Sequence, residues 1–122
     1  MKTIGVRFPK KVLEQTHWLC ADGRKMLPEE MSTLHKINVI RLMTRRVIKA
    51  CIVAGAPRPT YSDAAAFVCA EIPMMVLMAK QVLAAGMDPF KDYGGVLVDE
   101  NAYSDYPLSD VFEFPNENAT RH

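Results

Sequence analysis

The stretch covering residues 63–85 constrains the fold more than any other part of the chain. It is apolar almost all round, broken only by Glu71, Lys80 and Gln81. The spacing predicts one long helix, capped by Ser62 or Thr60, kinked at Pro73 and stopped by Gly86 and Pro89. A helix without a polar face has to be covered on most sides. A chain of 122 residues has little else to cover it, so a homo-oligomer is expected, with Met74, Met75 and Met78 as adaptable packing at the contact. The helix is long enough to span a bilayer. Glu71 and Lys80 near its middle argue against that, since each would cost roughly 2.5–3.5 kcal/mol there.

A second organising stretch runs from Trp18 to Ile40. Asp22-Gly23 between two apolar-alternating arms is a strong hairpin signal, because the turn needs positive φ. Trp18 and Cys20 on one arm and Met26 on the other share the buried face. Pro28-Glu29-Glu30-Met31 is a short turn that drops Met31 into the core. Ser32 then caps a helix running to about Val53. Leu34, Ile37, Ile40, Met43, Val47, Ile48 and Cys51 recur every three or four residues and form its buried stripe. Residues 55–59, with Pro57 and Pro59, end it. Ahead of the hairpin, Ile4, Val6 and Phe8 alternate with polar or small residues, which predicts a half-buried strand ended by Pro9. Residues 10–15 read equally as a helical turn or as more strand. Val96 and its neighbours after Gly94-Gly95, and Val111 to Phe114, predict short C-terminal strands.

The resulting fold class is α+β: an N-terminal strand and β-hairpin, two long helices and a short C-terminal strand region. Residues 1–114 make a single domain and 115–122 a disordered tail.

Charge is divided along the chain. Residues 1–60 hold 12 Lys/Arg against 4 Asp/Glu, a net of +8, and residues 88–122 hold 2 against 8, a net of −6. A basic front half attracts phosphates, and an acidic tail can neutralise it or a basic partner. The three cysteines are widely spaced without a C-x-x-C pair, and the three histidines are scattered. A disulfide framework, a metal site and any cofactor are therefore not expected, and a reducing, cytoplasmic location is.

The catalytic signals are weak. A Cys/His pair could be drawn from Cys20 or Cys51 with His17 or His35, but Cys51 falls on the buried stripe. There is no P-loop and no G-x-G-x-x-G. The chain does not read as an enzyme. His35 and Asn38, three apart on one helix face, either fix the hairpin turn against the helix or line a polar pocket with Arg24. Arg41, Arg45 and Lys49 recur every four residues, with Arg46 adjacent. Like charges at that spacing repel, so the stripe calls for a counter-charge: the protein's own tail, a partner's acidic patch or a phosphate. Arginine suits bidentate phosphate contacts, and Arg58 can join the cluster. Aromatic residues crowd the acidic tail instead of interleaving with the basic ones, so general nucleic-acid binding has little support.

The pattern Trp18-x3-Asp22-Gly23-Arg24-x6-Met31-x3-His35-x2-Asn38-x-Ile40 resembles small accessory proteins of tailed bacteriophages, with Lys36 where an aliphatic residue is expected. The resemblance implies a phage origin. It also implies counter-defence, by binding a host defence protein or by sequestering a nucleotide immune signal. The expected function is thus non-enzymatic binding of an anionic, phosphate-bearing ligand by Arg24, His35, Asn38, Arg41, Arg45, Arg46 and Lys49. The alternatives are a protein–protein inhibitor acting through the acidic C-terminal region and a small nucleic-acid-binding regulator.

Overall fold

A computed structural model describes residues 4–20 and 22–93. The expected C-terminal strands, the domain limit at 114 and the tail lie outside them. The elements run α1 (Lys10–Leu13), β1 (Trp18–Leu19), β2 (Lys25–Met26), a 3-10 turn (Pro28–Glu30), α2 (Thr33–Val53), α3 (Tyr61–Glu71) and α4 (Pro73–Ala84). The class is α+β in the broad sense: among the described residues there are four helices and one two-stranded antiparallel hairpin.

α2 is the axis of the molecule. The Ser32 hydroxyl accepts the His35 amide at 3.1 Å and starts the helix. Its end is a Schellman closure around Gly55 at φ 75°, where the Ala56 amide bonds the Cys51 carbonyl at 2.9 Å. Only glycine takes this left-handed position at no steric cost. Val39, Ile40, Met43, Val47, Ala50 and Cys51 are fully buried. The buried surface is wider than a single stripe, because α3, α4 and the hairpin pack around α2. Leu34, expected inside, is instead 48% exposed. Lys36 is buried, and its Nζ donates to Gln81 Oε1 on α4 at 2.9 Å.

The expected second long helix is two helices. Ile72 takes an extended conformation, φ −99° and ψ 113°, as the residue before a proline prefers. Pro73 then supplies the first position of α4, where its missing N–H costs nothing. α3 and α4 meet at 115°. The bend folds the apolar stretch against α2, so Val68, Ile72, Met75, Met78 and Val82 are covered within one chain. No single helix among the described residues is long and apolar enough to cross a membrane.

The N-terminal strand is seen in part. Val6 and Phe8 are buried and Arg7 is exposed, as alternation requires. Among the described residues, however, the segment joins no sheet beyond an isolated bridge at Arg7. It lies across the helices: Phe8 stacks on Phe67 of α3 with ring centroids 5.2 Å apart. Gly5 meets the α2–α3 connection so closely that a Cβ there would stand 2.5 Å from the Ala56 methyl. Gly5→Ala should therefore lower stability by about 1–3 kcal/mol, the usual range for overpacking. Ala56→Gly in the same chain should recover part of the loss in thermal melts; independent, additive effects would disprove the contact.

The hairpin forms as expected, with Trp18 opposite Met26 and Leu19 opposite Lys25. Gly23 has φ 91°, and the Cys20 amide donates to the Arg24 carbonyl at 2.8 Å. Trp18, Cys20 and Met31 are buried. After α4, Gly86 closes the helix with the Met87 amide on the Val82 carbonyl at 3.1 Å. The chain then turns back, Asp88 Oδ1 accepting the Phe90 amide at 2.8 Å and the Tyr93 hydroxyl accepting the Asp88 amide at 3.0 Å. This brings Asp92 to the flank of α2.

Candidate functional site

The basic repeat on α2 becomes one wall of a groove. Arg41, Arg45, Arg46 and Lys49 line it together with Leu42, Ile48 and Ile52. The opposite side comes from Arg58, Pro59, Thr60 and Tyr61, and Asp92 lies at one end. The groove has a volume of about 610 Å³. The turn at Gly55 is what makes it, because it returns the chain along α2 and sets Arg58 facing the stripe. Thr60 then starts α3, its hydroxyl accepting the Asp63 amide at 3.1 Å.

The charges in the groove are unequal. Arg41 is the most covered, its side chain 13% exposed, and its Nε donates to Asp92 Oδ1 at 3.2 Å. Asp92 thus supplies part of the counter-charge that the repeat demands. Arg45, Lys49 and Arg58 are exposed, and among the described residues they have no carboxylate in ion-pairing range. The groove is cationic at its open end.

Tyr61 adds a half-buried phenol within hydrogen-bonding reach of Thr44. The Thr44 hydroxyl itself donates to the Ile40 carbonyl at 2.7 Å. Burial first, then the nearby Asp92 carboxylate, push the Tyr61 pKa up to about 12, against the pull of Arg41 and Arg45. Burial alone pushes the Cys69 thiol up to about 12. Both groups keep their protons in the folded state at a pH where the unfolded chain has lost them. The unfolded state then binds fewer protons, so stability falls as pH rises from about 9 to about 12. Urea midpoints measured across that window should decline, with Tyr61→Phe flattening the part above pH 10. A midpoint independent of pH there would contradict the buried placement of both groups.

The remaining residues expected at the site lie elsewhere. Arg24 is in the hairpin loop, its Nε donating to Asp22 Oδ2 at 2.7 Å. The Asp22 carboxylate also accepts the Arg24 amide at 3.1 Å, so the turn is held by its own side chain, and these bonds keep the carboxyl pKa below the usual aspartate value. His35 and Asn38 are buried. His35 Nε2 is 3.9 Å from Cys20 Sγ, which unites one of the Cys/His pairings open from the sequence. The pair lies in the interior and lines neither groove described here. Among the described residues, Asn38 Oδ1 is buried without a hydrogen-bond partner. His35 meets the hairpin at Cys20, and neither His35, Asn38 nor Arg24 lines either of the two grooves.

A second groove of about 500 Å³ runs between α1, the hairpin and the start of α4, with Lys11, Glu14, His17, Trp18, Met43 and Met75 among its walls. Its lining mixes both charges with apolar groups and converges on no chemistry. Among the described residues no group of three His, Cys, Asp or Glu side chains could hold a metal ion. The sequence reading missed Tyr61 and Asp92. Neither belongs to a periodic pattern, and only the general demand for a counter-charge pointed toward Asp92. The chain matches no protein-family model, no curated protein and no solved structure.

Proposed function

We propose that this chain is a non-enzymatic phage accessory protein that acts in the host cytoplasm as a counter-defence factor. It binds an anionic, phosphate-bearing ligand, a cyclic nucleotide immune signal, in the groove between α2 and the start of α3. The observation that supports this reading is the convergence of Arg41, Arg45, Arg46, Lys49 and Arg58 on one groove in which, among the described residues, Asp92 is the single carboxylate. Five cations brought together repel one another, and a bound polyanion relieves that repulsion while arginine forks engage its oxygens. The volume falls within the ~300–1,000 Å³ range of small-molecule sites. Leu42, Ile48, Ile52 and Tyr61 give the less polar part of such a ligand a surface to lie on. Arg24, His35 and Asn38 drop out of the proposed site.

Assembly into a homo-oligomer remains part of the proposal on a narrower basis. With most of the apolar stretch buried in one chain, the large exposed apolar residues on α4 are Leu77 and Leu83. Sedimentation equilibrium distinguishes an oligomer from a monomer.

The ligand reading is tested by calorimetric titration of the full chain with pyrophosphate, mononucleotides and cyclic dinucleotides at low and high salt. Saturable binding that weakens with salt and returns the ligand chemically unchanged is the expected result. Failure of every phosphate compound to bind at low salt would sink the reading.

A further inference from the structure

We propose that the groove reads its ligand from two ends. Arg45, Lys49 and Arg58 take the phosphate, and Asp92 accepts a hydrogen bond from a neutral N–H or O–H group elsewhere on the same molecule. The proposal rests on the reading of the groove as a phosphate site. It narrows the ligand to a nucleotide that offers a donor on its sugar or base.

Three observations carry it. Asp92 is a wall of the groove among its cations, and its Oδ1 accepts from Arg41 Nε at 3.2 Å. Second, the turn that carries Asp92 is pinned on both sides of it. Asp88 Oδ1 accepts the Phe90 amide at 2.8 Å, and the Tyr93 hydroxyl accepts the Asp88 amide at 3.0 Å. Third, an aromatic side chain of the groove stands at the same end. Burial first, then the Asp92 carboxylate, push the Tyr61 pKa up to about 12, while Arg41 and Arg45 pull against them. The Tyr61 phenol is therefore close to Asp92, Arg41 and Arg45.

The two ends ask for different chemistry. A carboxylate beside Arg41 repels a phosphate and offsets the attraction of that guanidinium, so an anion is driven along the groove. Arg45 lies about 6 Å and Lys49 about 12 Å along α2 from Arg41, at 1.5 Å per residue. Both are exposed, as is Arg58. At its own end Asp92 only accepts, so what it selects is a donor. Ribose hydroxyls and the N–H groups of bases are donors that protein carboxylates take up. A nucleotide, with its phosphate apart from its sugar and base, answers both ends. An inorganic phosphate answers one.

The test is calorimetric titration of the full chain and of its Asp92→Ala variant with pyrophosphate, cyclic guanosine monophosphate and cyclic adenosine monophosphate. The Asp92 side chain is 41% exposed, so its removal opens no cavity in the core. Thermal melts verify the fold, and Asp92→Asn, which keeps the shape without the charge, replaces Asp92→Ala if that variant melts early. Pyrophosphate should bind the variant more tightly, because a negative charge leaves the groove and Arg41 is released. The better-bound cyclic nucleotide should bind it less tightly, by about tenfold or more, the loss expected for a hydrogen bond to a charged group. Opposite signs on the two probes support the proposal. The deoxyribose analogue of that nucleotide then locates the donor: insensitivity to the variant assigns it to the sugar, and sensitivity assigns it to the base.

A cyclic nucleotide that binds the variant as tightly as the natural chain, or more tightly, overturns the proposal and leaves Asp92 as a repulsive charge. Binding of pyrophosphate by the natural chain without binding of either nucleotide also overturns it, and leaves the anion reading standing. Failure of all three probes overturns both.

Discussion

Replacing Trp18 with alanine should lower the stability of the protein by about 3–5 kcal/mol, the range for truncating a large buried aromatic side chain. Trp18 is 1% exposed. It stands opposite Met26 in the hairpin and, with Met43, Ile72 and Met75, forms part of the wall of the smaller groove. It is thus a hairpin side chain buried in the same core cluster as the middle of α2 and the bend between α3 and α4. A hairpin of two residues per strand is not stable alone, so its order depends on that burial. The groove beside Trp18 lets neighbours move into the vacated space, which places the expected loss toward the lower end of the range. For a domain whose total stability is about 5–15 kcal/mol, even 3 kcal/mol is a large fraction. Urea unfolding gives the measurement: at a slope of about 1–3 kcal/mol per molar, the midpoint should fall by at least about 1 M. A shift of a few tenths of a molar with an unchanged slope would show that the hairpin is not part of the cooperative core.

The same residues show what was legible before folding. Ser32 and Asp22-Gly23 act locally: a hydroxyl reaching an amide three residues on, and a glycine at positive φ. Both carried through with their partners intact. Gly55 and Gly86 ended their helices for the same reason. What local pattern could not carry was the path of the chain after its breaks. Pro73 was legible as a kink. That the break would reach 115° and let the apolar stretch cover itself depends on α2 being there to receive it. Likewise, the alternation of Val6 and Phe8 signalled one buried face but not what would cover it; among the described residues that cover includes Phe67 of α3. Lys36 is the clearest failure of periodicity: its burial is set by Gln81, 45 residues away.

The candidate site divides along the same line. The Arg41, Arg45 and Lys49 wall is a four-residue repeat and was visible. Tyr61 and Asp92 join it only through the turn at Gly55 and the return of the chain after Gly86. Arg24, His35 and Asn38 line neither groove, because helix spacing fixes a shared face but not whether that face meets solvent. His35 and Asn38 are buried, and Arg24 is exposed.

Arg45→Glu should abolish phosphate-ligand binding, by about 100-fold or more, while leaving the fold at least as stable as before. The two effects have opposite signs for a reason internal to α2. Arg45 is exposed and lies four residues from both Arg41 and Lys49, so the natural sequence stacks like charges at the spacing where they repel. A carboxylate at this position would face a cation on each side and contribute about 0.2–0.5 kcal/mol per pair. In the groove the same change removes a guanidinium from the ligand's side and adds a negative charge. Losing a hydrogen bond to a charged group costs about 1.5–3 kcal/mol, and reversing the sign adds repulsion, so a loss of about two orders of magnitude follows. Thermal melts and calorimetric titration of the one variant read both effects. An unchanged or slightly raised melting temperature with binding lost identifies Arg45 as a ligand contact. Binding retained within a few-fold, in a variant that melts like the natural chain, would mean that the α2 stripe is a solvated surface and that the anion site lies elsewhere.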